Sequence, residues 1–324
     1  MKIGVLGAGG IARIVGNTLR QMGSVECYAV AARSLAKAKE FADDLGFEKA
    51  YGSYEEMLAD EKVELVYITT IHSLHYEHAK MAITYGKPVI CEKPFCVNER
   101  ELKQLFDYAK EKKVFITEAI WTRYMPMRKV IDDVVSSGII GKPITLTANL
   151  GYSVAHVERL AKNELAGGAL LDIGVYPLNF ALMHFGDDVD KITSDVVFTK
   201  ENVDMQSSVI LRYKDGRMAV LTSTFAAASD RKGIIWGTEG YIVTENVNNC
   251  GGIKVYDKDH IEIASYSTPK QISGYEYEFE ASIKAVGEGH LECEEMPHSE
   301  SLKVMRFMDT IRKEWGLVFP NDKE

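Results

Sequence analysis

The sequence predicts an α/β protein: an N-terminal doubly wound parallel sheet, then an α+β lobe built on a large, mostly antiparallel open sheet. Three observations lead there. Up to about residue 120, short apolar runs alternate with helical patterns, the rhythm of a parallel sheet covered on both faces. Beyond it the chain turns to a long strand-rich run from KITSDVVF to EIASYS. No low-complexity linker or repeat separates the halves, so the domains are read as 1–120 and 121–324, the last helices being free to fold back on the first domain.

KIGVLG reads as a short buried strand and GGIARIVGNTLRQMG as a helix ending near Gly23. VECYAVAAR is the next strand, followed by the helix SLAKAKEFADDLG with Ser34 as N-cap and Gly46 at its end. ELVYITT, KPVICE and KVFITE supply further strands, separated by the helical stretches LHYEHAKMAITYG and NERELKQLFDYAKEKK. In the second half, helical patterns over 126–137 and about 173–185 bracket the stretch PITLTANLGYSV. Asp215–Gly216 between SSVILRY and RMAVLTSTF is a hairpin signal. YEYEFEASIKAVG and SESLKVMRFMDTIRKEWG close the chain as helices.

Composition narrows the function classes. A net charge of −9 argues against nucleic acid or an anionic membrane as the main partner, so an anionic ligand needs a local basic pocket. Cys27, Cys91, Cys96, Cys250 and Cys293 are odd in number, scattered and without CxxC spacing. Neither a disulfide framework nor a zinc site is suggested, and a reduced, cytoplasmic setting is the simplest reading. The N-terminal MKIGVLGAGGIA has no A-x-A-like cleavage site. The most apolar long stretch, AGGALLDIGVYPLNFALMHFG, carries Asp172, Pro177 and Asn179 near its centre and makes a poor membrane span.

Chemistry concentrates in a few stretches. In GAGGIA, Gly7, Gly9 and Ala12 fit G-x-G-x-x-G/A directly after a strand and at the opening of a helix, where the backbone can approach a pyrophosphate; Gly10 and Ile11 belong to the same cofactor contact. The second strand ends in AARS. It offers Arg33 and Ser34 instead of the acid that usually meets an unphosphorylated ribose, so NADP(H) is favoured over NAD(H). In VICEKPF, Lys93 ends a strand ahead of Pro94 and points toward the cofactor crevice. His72, His75 and His78 lie three apart, yet no companion Cys or acid stands in ligand register, so no metal is expected. In GGALLDIGVYPLNF, Asp172 and Tyr176 stand one turn apart just before Pro177. With a helix starting near Gly174, Asp172 could be a plain N-cap and Tyr176 a core aromatic. A proton-transfer unit facing a strand-end lysine is the other reading, and the residues alone leave the two even.

Together GAGGIA, AARS, TIHSLHYEHA, VICEKPF, EAIWTRYMP, GALLDIGVYP and MDTIRKEWGLVFP resemble the glucose–fructose oxidoreductase, inositol dehydrogenase and MocA (Gfo/Idh/MocA) family. The likeness is closest to its branch of dimeric dihydrodiol dehydrogenase and NADP-dependent D-xylose dehydrogenase. It runs over nearly the whole chain, and EKP with D-x-G-x-Y at the expected distance is its most specific part. The resemblance implies a Rossmann domain, Lys93 and Tyr176 as the catalytic pair, and Asp172 positioning substrate or assisting proton transfer. It implies that Trp121 and Arg123 line the nicotinamide and substrate pocket, and that Glu92 joins the cofactor contacts. Thr70, His72 and His75 match the cofactor-edge loop, where Ile71 and His72 replace the family's usual Pro and Asn.

The expected function is NADP(H)-dependent hydride transfer to or from a sugar, sugar derivative or small diol, in a homodimer formed through the C-terminal sheet. Two alternatives stay open. One is an NADPH-dependent reductase of a keto-sugar or α-dicarbonyl. The other is a non-catalytic nucleotide sensor, which could dispense with the Lys–Tyr pair that this chain keeps.

Overall fold

The computed structural model of the chain describes residues 1–323. Among them, two compact units form: residues 1–120 with 271–302, and residues 121–270 with 303 onward.

The first unit runs β1 (Lys2–Leu6), α1 (Gly10–Leu19), β2 (Glu26–Ala31), α2 (Leu35–Leu45), β3 (Lys49–Tyr51), α3 (Tyr54–Leu58), β4 (Leu65–Ile68), α4 (His75–Thr84), β5 (Val89–Glu92), α5 (Glu99–Lys112) and β6 (Ile116–Ala119). The alternation is the one expected, although α1 stops at Leu19 rather than near Gly23. β3 and α3 were not anticipated, since three and five residues are too few to show a period. The strands pair in parallel in the order β3-β2-β1-β4-β5-β6. The order reverses between β1 and β4, and ligands of such sheets bind beyond the carboxyl ends of the strands at that switch point. Ile3, Val5, Val30, Leu65 and Ile90 are fully buried, each stabilising the fold by about 1.5–3 kcal/mol before entropy is counted. The late segment 271–302 belongs here because Phe279 is buried in the same core, its ring 5.1 Å from that of Tyr67.

The second unit opens with α6 (Trp121–Tyr124), α7 (Pro126–Ser136), β7 (Pro143–Gly151) and α8 (Glu158–Ala161). A π-turn over Leu170–Gly174 then runs straight into α9 (Val175–Phe185). Seven strands follow: β8 (Val189–Phe198), β9 (Asp204–Tyr213), β10 (Met218–Thr224), β11 (Gly233–Gly237), β12 (Gly240–Thr244), β13 (Gly252–Asp257) and β14 (Glu262–Ser267). Two helices remain: α10 (Glu276–Gly287), in the first unit, and α11 (His298–Trp315), which starts there and ends in the second.

The second sheet has the order β14-β13-β12-β11-β7-β10-β9-β8 and is antiparallel except for β7 beside β10. The expected hairpin joins β9 to β10, with Gly216 at φ +90° in its turn. One face, with Leu146, Leu150, Leu211, Leu221 and Ile235, is buried. α9 lies against β7 and β10, and Trp315 Nε1 donates to Ser194 Oγ at 2.9 Å. The other face aligns Ile210, Val220, Thr147, Ile234 and Val243 in one cross-strand row, all half-buried. The apolar stretch Asn163–Phe185 is long and apolar enough to cross a membrane, but 89% of its most apolar window is buried inside the protein.

Candidate active site

In the first unit the predicted cofactor residues gather at the carboxyl ends of β1, β2, β4 and β5. Gly7 leaves β1 at φ +112°, and a Cβ there would lie 2.6 Å from Thr69 Oγ1, so no larger residue fits. Gly9 caps α1 without any side-chain hydrogen bond, and the first turn holds no acid. A Cβ built on Gly9 or Gly10 meets nothing within 4 Å. The positive end of α1 therefore faces open space, which fits a pyrophosphate lying against the backbone around Gly10 and Ile11. Arg33 is exposed just past β2, and Ser34 begins α2 with its hydroxyl not used for capping. Both suit a 2′-phosphate.

The loop after β4 is tied to the loop after β5. His75 places Nδ1 2.9 Å from the Pro94 carbonyl and Nε2 3.0 Å from the Thr70 carbonyl. The neutral ring carries one N–H and so donates to one of these two carbonyls, which makes His75 a strut between the loops. His72 is buried in a 3₁₀ turn, and Thr70 Oγ1 meets His78 Nδ1 at 2.9 Å. Burial pushes the His75 pKa down to about 3. A histidine kept neutral in the fold but ionisable at about 6.5 when unfolded supports stability above that pH. The support is lost as pH falls toward 3, at a rate of up to about 1.4 kcal/mol per pH unit. Urea unfolding should thus show lower stability at pH 5 than at pH 7, and His75→Asn should flatten that slope. An unchanged slope in the variant would assign the acid sensitivity elsewhere.

Glu92 turns inward. Tyr67 Oη donates to Glu92 Oε1, and the Lys93 backbone N–H donates to Oε2 at 3.2 Å. Glu278, which the sequence reading missed, is fully buried nearby on α10. Burial, with the charge of Glu92 adding, pushes its carboxyl well above the usual range. Only its place among apolar positions of α10 hinted at this.

In the second unit, Trp121 and Arg123 sit on α6. Arg123 is buried, and its Nε donates to Asn179 Oδ1 at 2.6 Å. The Asn179 side chain in turn donates to the Val175 carbonyl at 2.8 Å, so Arg123 braces the first turn of α9.

Asp172 is not an N-cap, because the helical winding begins earlier than Pro177 implied. It lies inside the π-turn, while Gly174 holds the cap position of α9. The glycines explain the turn. Gly168 adopts φ +118°, and a Cβ there would lie 1.9 Å from Asp204 Oδ1; Gly174 lies close against Ser223 of β10. Asp204 Oδ2 accepts from the Leu170 N–H at 2.6 Å, and burial raises its pKa to about 7. Asp172 accepts from both terminal nitrogens of Arg159, at 2.9 and 3.3 Å. Tyr176, 7% exposed, follows one turn later on α9. The structure thus brings Asp172, Tyr176 and Arg159 into one neighbourhood, and Arg159 was not singled out by any motif.

Comparisons with known proteins fit this geometry. Residues 1–119 match a family described as an oxidoreductase family with an NAD-binding Rossmann fold, and residues 129–243 match the GFO/IDH/MocA C-terminal domain. The chain is 34% identical to trans-1,2-dihydrobenzene-1,2-diol dehydrogenase of Danio rerio, over 91% of this chain and 90% of the relative. The Homo sapiens enzyme of that name gives 34% identity with the same coverage. Among solved structures, a 3-ketoreductase from Actinomadura kijaniata in complex with NADP and TDP-benzene superposes with a TM-score of 0.89 at 24% identity, covering 97% of each chain. A levoglucosan dehydrogenase in complex with NADH and levoglucosan gives 0.84 at 20% identity, covering 97% of this chain and 96% of the other. At those identities the likeness is one of fold.

Proposed function

The chain belongs to the Gfo/Idh/MocA oxidoreductase family, and on that premise we propose that it catalyses NADP(H)-dependent hydride transfer at a hydroxyl-bearing carbon of a sugar, sugar derivative or small diol. A cytoplasmic homodimer is part of the same reading. The observation that carries it is the D-x-G-x-Y segment, wound as a π-turn into a helix so that Asp172 and Tyr176 stand on consecutive turns. Diols stand in the range because the vertebrate relatives are named for one.

The nicotinamide supplies the hydride acceptor or donor, and the remaining work falls to side chains. Backbone groups from Gly7 to Ile11 and the side chain of Arg33 would hold the cofactor. Oxidation of an alcohol needs a base for the hydroxyl proton, and reduction needs an acid for the developing alkoxide. The phenol oxygen of Tyr176 serves both directions. A free phenol, with a pKa of about 10, is a weak base near neutrality, and a neighbouring ammonium favours its phenolate. The family pattern assigns that ammonium to Lys93. A screen of aldoses, polyols and diols with both cofactors, in both directions, tests the proposal; cofactor binding without turnover on any of them would refute it.

Two measurements follow. Turnover should be higher with NADP(H), and Arg33→Ala should narrow the gap, since a charge-assisted phosphate contact contributes on the order of 1.5–3 kcal/mol. Higher kcat/KM with NAD(H) in the wild type would overturn the preference. The half-buried apolar row on the open sheet face (Ile210, Val220, Ile234, Val243) is a self-association surface. Light scattering at micromolar concentration should give twice the chain's 36.2 kDa, and Val220→Lys should lower it. A monomeric wild type would exclude the dimer.

A further inference from the structure

The winding that carries Asp172 and Tyr176 takes no cap from its own sequence. Gly167, Gly168 and Ala169 precede it, and Ala169, in the cap position of the π-turn, makes no side-chain capping bond. The acceptor comes instead from β9. Asp204 is 1% exposed, and its Oδ2 accepts from the Leu170 N–H at 2.6 Å. Gly168 makes room for it, since a Cβ there would lie 1.9 Å from Asp204 Oδ1. Leu170, Leu171 and Ile173 are buried and seat the turn, but apolar burial is non-directional and does not fix how the winding starts. The hydrogen bond to Asp204 has a direction. It fixes the first turn just ahead of Asp172.

A charged carboxylate is the acceptor best suited to the positive start of a helical winding. Its surroundings oppose that charge. Burial pushes the Asp204 carboxyl up to about 7, against the pull of the Leu170, Asp204 and Ala169 N–H groups and of Arg312. Arg312, on α11, acts on it by charge, while its guanidinium donates to Asp322 at 2.8 Å and to Asp309 at 2.6 Å. On the flanking segments, Asp172 pairs with Arg159 and Lys162 with Glu158, and Lys200 and Glu201 are exposed. A proton on Asp204 turns an acceptor into a donor at a place where N–H donors already point. The cap then weakens.

We infer that Asp204 is a positioning residue for the reaction: its carboxylate caps, from β9, the winding that carries Asp172 and Tyr176 and holds both side chains in place to react. This rests on the reading of Tyr176 and Asp172 as the reacting site, whereas the cap itself can be measured without turnover. Asp204 acts through the turn and touches neither substrate nor cofactor. Loss of its charge therefore lowers kcat and leaves NADP(H) affinity alone, because the residues that fit the cofactor lie at the start of α1 and the end of β2. Activity consequently carries an acid-side fall that belongs to Asp204 and not to the phenol.

The test compares wild type with Asp204→Asn, which keeps the shape and one acceptor but, like protonated Asp204, carries no charge. Carbonyl reduction is followed between about pH 6 and about pH 9, because a phenol acting as the acid stays protonated on the acid side and causes no fall there. Wild-type kcat should drop as pH falls through about 7. At about pH 8 Asp204→Asn should be about 10- to 100-fold slower in kcat, with unchanged NADP(H) Kd and no acid-side fall. Amide exchange over residues 169–176, corrected for the intrinsic effect of pH, should be about 10-fold faster in the variant. In wild type it should be faster at about pH 6 than at about pH 8. Wild-type kcat in Asp204→Asn, or unchanged exchange over 169–176, overturns the positioning role and leaves the oxidoreductase reading intact. A slower variant that keeps the acid-side fall assigns that fall elsewhere and overturns the charged cap. Should wild type reduce no substrate, the oxidoreductase reading fails and exchange alone decides the cap. Should Asp204→Asn fail to fold, wild-type exchange at the two pH values decides: equal corrected rates refute it.

Discussion

Tyr176→Phe should lower turnover by roughly 100- to 10,000-fold, the usual size of a general acid–base contribution. The ring remains, so the buried contacts of a side chain only 7% exposed stay in place and the melting temperature should barely move. NADP(H) affinity should also persist, because the residues that fit the cofactor lie on other elements, at the start of α1 and the end of β2. If Tyr176 were only a core aromatic, the phenylalanine variant would keep most of its activity. Retention of more than about a tenth of the wild-type kcat, below the bottom of the expected range, would falsify the acid–base role.

On the proposed mechanism, in which the family pattern assigns Lys93 the cation that favours the phenolate, Lys93→Met should depress turnover by a comparable factor, on the order of 100-fold or more. Methionine keeps much of the side-chain length, and the backbone N–H that Glu92 accepts from is untouched. The loop itself is fastened independently, by His75 on the Pro94 carbonyl. A loss of activity without loss of stability therefore isolates the charge. The pH–rate profile supplies the sharper readout. In the direction of alcohol oxidation, the variant should regain activity as pH rises toward the ordinary phenol range, whereas the wild type should already have levelled off. A variant with wild-type kcat and an unshifted profile would remove Lys93 from the mechanism.

Much of the fold was legible because its determinants are local. The apolar runs of β1, β4, β5 and β6 announce a sheet buried on both faces, and Gly46 at φ +73° ends α2 where only local backbone freedom is needed. The glycine loop was legible for the same reason: Gly7 is required by its own φ and by the adjacent Thr69. The Asp215–Gly216 turn could likewise be read in place. What sequence left undecided depends on partners distant along the chain. Whether Asp172 stands at an N-cap could not be read until Asp204, 34 residues beyond Leu170, was seen to pin the π-turn. The guanidinium on Asp172 comes from Arg159, on a separate helix. The same holds for Glu92, whose carboxylate meets Tyr67 from the neighbouring strand, and for Phe279, which joins the first core from the far end of the chain. Periodicity and capping act over a few residues and are written in the local pattern. Ion pairing and burial act through space, and only the tertiary structure decides which groups meet.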